Sequence, residues 1–288
     1  MNTNKKVGLV LNLDKKRAFE LANNVIDWLS ARNINYIVEE TAAKLMNYSV
    51  RAGSYGKLRK EADLIILFGG DGTFLHTAHH FIGTDIPLLG INIGGLGFLT
   101  EIETNELDIT LEKIFAGNYK IKKRMLLKVE LYRDNKKIAD SFALNDVTIN
   151  RGANARMVEI KLFINGEFIN SYKADGLIMS TPTGSTAYSL SAGGPIINPR
   201  VRAILITPIC PHTLHIRPMV ISREEELEVV VAGVDENMMI TSDGNFDHKL
   251  VTGDKIKVYA AEKEVSLVKL PGRTFYTILH DKMRVGLV

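Results

Sequence analysis

The sequence predicts two joined fold classes: an N-terminal open, mostly parallel α/β sheet domain and a C-terminal antiparallel β-sandwich domain. Three observations carry this. Through the first hundred residues, short apolar runs alternate with stretches of helical periodicity, as parallel strands joined by crossover helices require. From about Tyr119 the pattern becomes strand-like and hairpin turns replace helices. At 288 residues the chain can build two ordinary cores.

In order, "KKVGLVLNL" (5–13) reads as a buried strand. "KKRAFELANNVIDWLSARN" (15–33) places Phe19, Leu21, Ala22, Val25, Ile26 and Leu29 at helical spacing. "INYIVEE", "ADLIILF" and "IPLLGINIG" are the next three strands, with a helix in "TFLHTAHHF" between the last two. "ELDITLEKIFAGN" (106–118) is a helix stopped by Gly117-Asn118. Beyond it, "YKIKKRMLLKVELYRDNKKIADSFALNDVTIN" turns at Asp134-Asn135, and "MVEIKLFINGEFINSYKA" turns at Asn165-Gly166, a strong hairpin signal. "AILITPI", "ELEVVVAG", "MMITSDG", "DKIKVYAAE" and "EVSLVKL" are further strands, and "GRTFYTILHDKMR" is helix-like. The expected domains are 1–115 and 116–272.

Composition narrows the function. A net charge of +3 does not argue for a nucleic-acid partner, and no apolar run approaches the roughly 20 residues of a membrane span. The apolar run near the N-terminus is too short for a secretory signal, and Cys210 is the single cysteine. A cytoplasmic protein without a multi-cysteine metal site is expected. His76 and His80, and His212 and His215, have pairwise spacings that could suit a metal, but neither pair carries the glutamate of a zinc protease motif. No metal site built from side chains is expected. The lysines at 120, 122, 123 and 128 read as a solvated strand face.

Two small-residue clusters stand out. In "LIILFGGDGTFLHTA" (64–78) a buried strand runs into Gly69-Gly70-Asp71-Gly72-Thr73 at the start of a helix. Such a turn exposes backbone N–H groups and the positive end of a helix dipole, which suits phosphate. Asp71 has two readings at this point: a helix N-cap, or a carboxylate facing a hydroxyl or a cation. No Walker A loop occurs, and Gly70-x-Gly72 and Gly95-x-Gly97 both lack the third glycine of the dinucleotide fingerprint. The second cluster, "DGLIMSTPTGSTAYSLSAGGP" (175–195), is dense in hydroxyls and glycine, where a backbone or flat ligand can approach closely.

Together "GGDGT" (69–73), "LND" (144–146) and the 175–195 segment resemble the NAD kinases, with "PICPHTLHIRP" (208–218) and "SDGN" (242–245) in the expected order. The resemblance implies transfer of the γ-phosphoryl of ATP to the 2′-hydroxyl of the adenosine ribose of NAD, making NADP. It implies that Asp71 is catalytic and lies with Gly72 at the dinucleotide, and that Gly69, Gly70, Gly72 and Thr73 form the phosphate-donor loop. His76 falls on a ligand-facing helix position. Asn145 and Asp146 match the family's ligand-holding Asn-Glu pair, with Asp in place of the usual Glu. Arg156 and Lys173 match basic or polar positions near the ligand. Asp175 matches an aspartate near nicotinamide that often reaches across a subunit boundary. Thr186, Ala187, Tyr188, Ser189, Leu190 and Ser191 match the segment around adenosine, and Asn245 stands where many members have Gln. Mg²⁺ or another divalent cation is expected with ATP, assembly as a homodimer or homotetramer, and return of helix 273–284 to the first domain. A lipid or sugar kinase sharing the GGDG loop, and a non-catalytic NAD(P)-sensing module, are the rival readings. The first leaves the long Thr-Gly-Ser-Thr motif without a role, and the second leaves Asp71 without one.

Overall fold

The computed structural model describes residues 5–46, 51–95, 97–100, 102, 107–151, 158–213, 215–233 and 238–284. The chain divides into two units, Met1–Lys123 with Val265–Val288, and Arg124–Glu264.

In the first unit, β1 (Val7–Leu11), β4 (Leu64–Gly69) and β5 (Leu88–Asn92) are buried at every residue. Their apolar runs do not alternate because both faces of a parallel sheet are covered by helices. With β2 (Tyr36–Glu39) and β3 (Ala52–Gly53), they pair in parallel in the order β3-β2-β1-β4-β5. Helix α1 (Lys16–Ser30) buries Leu21, Ala22, Val25, Ile26 and Leu29 as its periodicity predicts; Ala18, outside the predicted stripe, is buried too, and Phe19, within it, packs only half-buried beside them. Two short helices, α2 (Glu40–Leu45) and α3 (Tyr55–Glu61), leave too little sequence to show a period. Helix α4 (Asp71–His80) follows β4, and α5 (Leu107–Phe115) ends before Gly117, whose φ of 82° suits glycine. The last helix, α7 (Phe275–Arg284), belongs to this unit: the Phe275 ring lies 6.2 Å from that of Phe98, and Lys282 sits over Phe98.

The second unit is built from hairpins. β6 (Lys120–Arg133) turns into β7 (Lys136–Ala143) through Asp134 and Asn135, at φ of 51° and 58°. β9 (Val158–Ile164) turns into β10 (Glu167–Ala174) through Asn165 and Gly166, at φ of 50° and 82°. Paired positive φ angles match the right-handed twist of a two-residue hairpin, and Asn, Asp and Gly tolerate them best. β14 (Leu227–Gly233) pairs antiparallel with β9, and with residues 255–258 of β17 (Lys255–Lys269). The second sheet runs β13 (Met219–Ser222), β12 (Ala203–Ile209), β11 (Gly176–Ser180), β8 (Asp146–Asn150), β15 (Met239–Ser242) and β16 (His248–Lys249). A single-turn helix, α6 (Tyr188–Ser191), lies between β11 and β12 in the chain. One core joins Leu162, Val229 and Val258 of the first set of strands to Val147, Leu177 and Ile206 of the second, which makes the unit a sandwich.

The strand β17 corrects the sequence reading, which divided it in two. No glycine or proline interrupts Ala260–Lys263, so the chain stays extended for 15 residues. Its Leu267 reaches Leu88 of β5 in the first unit's sheet. Of the four lysines read as a solvated face, Lys128 is largely buried along its side chain, pairs with Asp140 and lies over the Phe142 ring.

Candidate functional site

In an open α/β sheet, ligands gather at the carboxyl ends of the strands where the order reverses, here between β1 and β4. Asn12 follows β1, and Gly69, the last residue of β4, opens the loop through Gly70 to Thr73. The Asn12 amide donates to Thr73 Oγ1 at 2.9 Å, tying the two strand ends together. The loop's glycines have different reasons. A Cβ on Gly69 would collide with the Thr73 side chain, whereas one on Gly70 or Gly72 would meet no atom within 4 Å. Gly70 and Gly72 therefore leave bare backbone facing open space at the N-terminus of α4.

Asp71 is the first residue of α4, and the N-cap is Gly70, so the N-cap reading of Asp71 is set aside. Its carboxylate reaches instead to a loop 27 to 29 residues away: Oδ2 accepts from the Phe98 N–H at 2.8 Å, and Oδ1 from Leu99 and Thr100 at 3.1 and 3.3 Å. Any Cβ on Gly97 would collide with this Oδ1 and with the Thr100 hydroxyl, so the loop's close approach requires glycine there. His76 lies five residues along α4, which turns it about 140° around the axis from Asp71. The structure groups it with Tyr55 and His80, whose rings stack at 3.8 Å. Burial, then the Glu39 charge, pushes the Tyr55 hydroxyl up to about 12, and burial with neighbouring His76 and His79 holds His80 below the usual imidazole range.

In the second unit Asn145 ends the turn before β8, and Asp146 is the first residue of that strand. The backbone N–H groups of Leu144, Asn145 and Asp146 all donate to the carboxylate of Asp243, at 2.6, 2.9 and 3.0 Å. The turn's carbonyls are held as well: Thr181 Oγ1 donates to Leu144 O, and the Thr181 N–H to Asn145 O. Gly184 presses on the same place, since a Cβ there would collide with the Asn145 carbonyl. Asp146 is buried, and its Oδ1 accepts from the Thr148 hydroxyl at 3.0 Å. Burial and the neighbouring Asp243 charge push its carboxyl up to about 6. The Asn245 amide donates to the Asp243 carbonyl, so it belongs to this corner.

The segment 186–191 divides by role. Ser189 is buried and shares a hydrogen bond with Thr207, and the Thr186 hydroxyl donates to Thr183 O. Tyr188 and Leu190 stay exposed. Asp175 and Lys173 do not join this corner. Gly176 pairs with Asn150 and Ser180 with Asp146, so Asp175 lies beyond the opposite ends of the same strands, roughly 13 Å or more away at about 3.4 Å per residue. There the Asp175 carboxylate accepts from Arg151 Nε at 2.6 Å, and Lys173 O accepts from the His212 N–H. Arg156 lies outside the described residues. Among those described, no three His, Cys, Asp or Glu converge as metal ligands. Sequence reasoning gave no role to Asp243, Thr181, Arg151 or Gly97. Only Asp243 carried a usable signal, the Asp-Gly turn within "SDGN".

Known proteins decide the identity. The ATP-NAD kinase N-terminal domain matches residues 7–119 and the ATP-NAD kinase C-terminal domain residues 144–270. The NAD kinase of Heliobacterium modesticaldum is 43% identical over 97% of this chain and 99% of its own. The chain belongs to the ATP-NAD kinase family. It is a kinase that phosphorylates NAD to NADP with ATP. The NAD kinase of Caldanaerobacter subterraneus is 39% identical, again over 97% of this chain and 99% of its own. Among solved structures, yeast NADH kinase complexed with NADH superposes with a TM-score of 0.86 at 29% identity, over 96% of this chain and 85% of that one. An Archaeoglobus fulgidus NAD kinase in complex with ATP gives 0.75 at 23% identity, over 97% and 98% of the two chains, a likeness of fold. Family membership removes the lipid-kinase, sugar-kinase and sensing-module readings. The NAD kinase fold is thus an α/β unit followed by a β-sandwich, as the sequence predicts.

Proposed function

We propose that in this NAD kinase Asp71 is the general base for the 2′-hydroxyl of the adenosine ribose, and that the Leu144–Asp146 turn, with residues 186–191 and Asn245, holds NAD. The observation that carries the first part is the Asp71 carboxylate at the β1/β4 switch point. Three backbone N–H groups hold it, two of them on Oδ1 together with a longer Thr100 hydroxyl contact at 3.5 Å, so Oδ2, which accepts from the Phe98 N–H, keeps an acceptor position for a substrate hydroxyl. As the new O–P bond forms and the bond from the γ-phosphorus to ADP breaks, the hydroxyl proton passes to Asp71. Gly70 and Gly72 let the donor phosphates approach bare N–H groups at the positive end of α4. ATP brings its divalent cation, Mg²⁺ or another, which when bound neutralises charge on the phosphates.

The enzyme is proposed to act in the cytoplasm, where both substrates are available, as a homodimer or homotetramer. Asp175 supports the assembly: it sits at the opposite strand ends from Asp146, as a residue serving a neighbouring copy would. The test of the base is Asp71→Asn, assayed with ATP, Mg²⁺ and NAD and read by an NADP-specific dehydrogenase. Turnover should fall by roughly 10²–10⁴-fold while calorimetric NAD affinity changes far less. Near-normal turnover would remove Asp71 from the chemistry.

A further inference from the structure

The Asn145-Asp146 pair stands where a bend enters β8, Asn145 closing the bend and Asp146 opening the strand. Such a junction keeps its shape only if its backbone groups have partners. Three successive N–H groups, those of Leu144, Asn145 and Asp146, converge on one carboxylate that comes from 97 to 99 residues further along the chain. The contact is reciprocal, because the Asp243 N–H donates to the Asp146 carbonyl at 3.0 Å. Asp243 adopts φ of 51°, a left-handed conformation that Asp and Asn tolerate better than other non-glycine residues, and Gly244 continues it at 70°. Such a concave row of N–H groups is an anion site, here filled by the protein's own side chain.

We propose that Asp243 is a positioning residue for NAD: its carboxylate fixes the Leu144–Asp146 backbone in the conformation that presents Asn145 and Asp146 to the dinucleotide. This rests on the reading that those two residues contact NAD. It adds a residue that touches no substrate, and it explains why Asp146 and Asp243 are tolerated side by side. One carboxylate spends its charge on backbone donors, and the other keeps its own for the ligand. Asp243 is the charged group acting on Asp146. The strand β11 faces it with Ser180, which is uncharged, and its own strand with Thr148.

Asp243→Asn is the informative variant because it keeps the left-handed turn and one acceptor oxygen. That oxygen can retain Asn145 and Asp146, which share Oδ1, while the Leu144 N–H loses Oδ2. Losing one hydrogen bond to a charged group predicts a KM for NAD raised roughly 10-fold, and Asp243→Ala roughly 100-fold, with KM for ATP and kcat within about twofold. The pH at which KM for NAD changes should also move down from near 6, by part of the shift only, because the Asp243 charge is gone while burial, the larger cause, remains. A merely structural role would not separate KM for NAD from KM for ATP and kcat.

Amide hydrogen exchange on the unsubstituted full chain is the second measurement, independent of whether the variants fold. The amides of 144–146 should be protected as strongly as those of Val147–Ile149 within β8, and free exchange there overturns the proposal. A fall in kcat alone, an equal rise for ATP, or an unmoved pH inflection also overturns it. Asn145→Ala separates the two layers. If it raises KM for NAD while Asp243→Asn does nothing, only this inference fails; if it leaves KM for NAD untouched, the site reading fails and takes the Asp243 proposal with it.

Discussion

Replacing Asp146 by asparagine should make this NAD kinase more stable and a poorer binder of NAD, in a way that depends on pH. The carboxyl is buried next to Asp243, and its pKa is raised from 3.8 to about 6. A rise of that size corresponds to about 3 kcal/mol between the two protonation states. The sign follows from linkage. Because the folded state holds the proton more tightly than the unfolded state, the stability this group contributes is present below pH 4, declines as pH climbs through 6, and stays lost above it. An asparagine in its place carries no charge to bury, and its carbonyl can still accept from Thr148. The variant should therefore equal the parent near pH 4 and exceed it by up to about 3 kcal/mol at pH 8, or roughly 6–12 °C in Tm for domains of this size. Scanning calorimetry of both proteins at pH 4.5, 6 and 8 measures the difference directly. A Tm gap that is flat with pH, or a variant less stable at pH 8, refutes the reasoning. In the same proteins KM for NAD should fall as pH rises through 6 in the parent and lose that dependence in Asp146→Asn, since only the charged carboxylate is a strong acceptor for a ribose hydroxyl.

Two further outcomes follow from the geometry. Gly184→Ala places a Cβ against the Asn145 carbonyl, so thermal unfolding should come earlier by about 1–3 kcal/mol and KM for NAD should rise with it; an unchanged KM would mean the turn can shift without consequence. Static light scattering at assay concentration should report a dimer or tetramer, and a fully active monomer would remove the argument from Asp175.

The α/β half was legible because buried parallel strands write themselves as unbroken apolar runs, and "LIILFG" is the plainest. The hairpins at Asp134-Asn135 and Asn165-Gly166 were legible because positive φ angles select those residues. Glycine and hydroxyl density marked a candidate segment in each unit, since close backbone approach needs small side chains. What stayed hidden has one physical cause. Phe98, Leu99 and Thr100 hold Asp71, and Leu144, Asn145 and Asp146 hold Asp243, all through backbone N–H groups. Every non-proline residue carries that donor, so its use leaves no mark on residue type. The continuity of β17 was hidden for a related reason: the polar "AEKE" stretch read as an ending, although nothing in it stops an extended chain.

The two carboxylates share a design that limits what any substitution can mean. Asp71 and Asp243 each accept three consecutive N–H groups from a loop remote in sequence, so each is at once a charge and a clamp. Removing the charge with asparagine loosens a loop, and a drop in turnover alone cannot separate the effects. The geometry supplies the separation. At Asp71 the clamp has its own requirement, the missing side chain of Gly97, where a Cβ would meet the Asp71 carboxylate and the Thr100 hydroxyl. A Cβ at Gly97 spoils the clamp and keeps the carboxylate, so it should disturb the position of the base while leaving its ability to take a proton. If proton transfer is the larger part of Asp71's role, Asp71→Asn must cost more turnover than Gly97→Ala. The opposite order would make Asp71 chiefly a loop anchor, with its place between glycines explained by the close approach of 97–100 and not by the substrate.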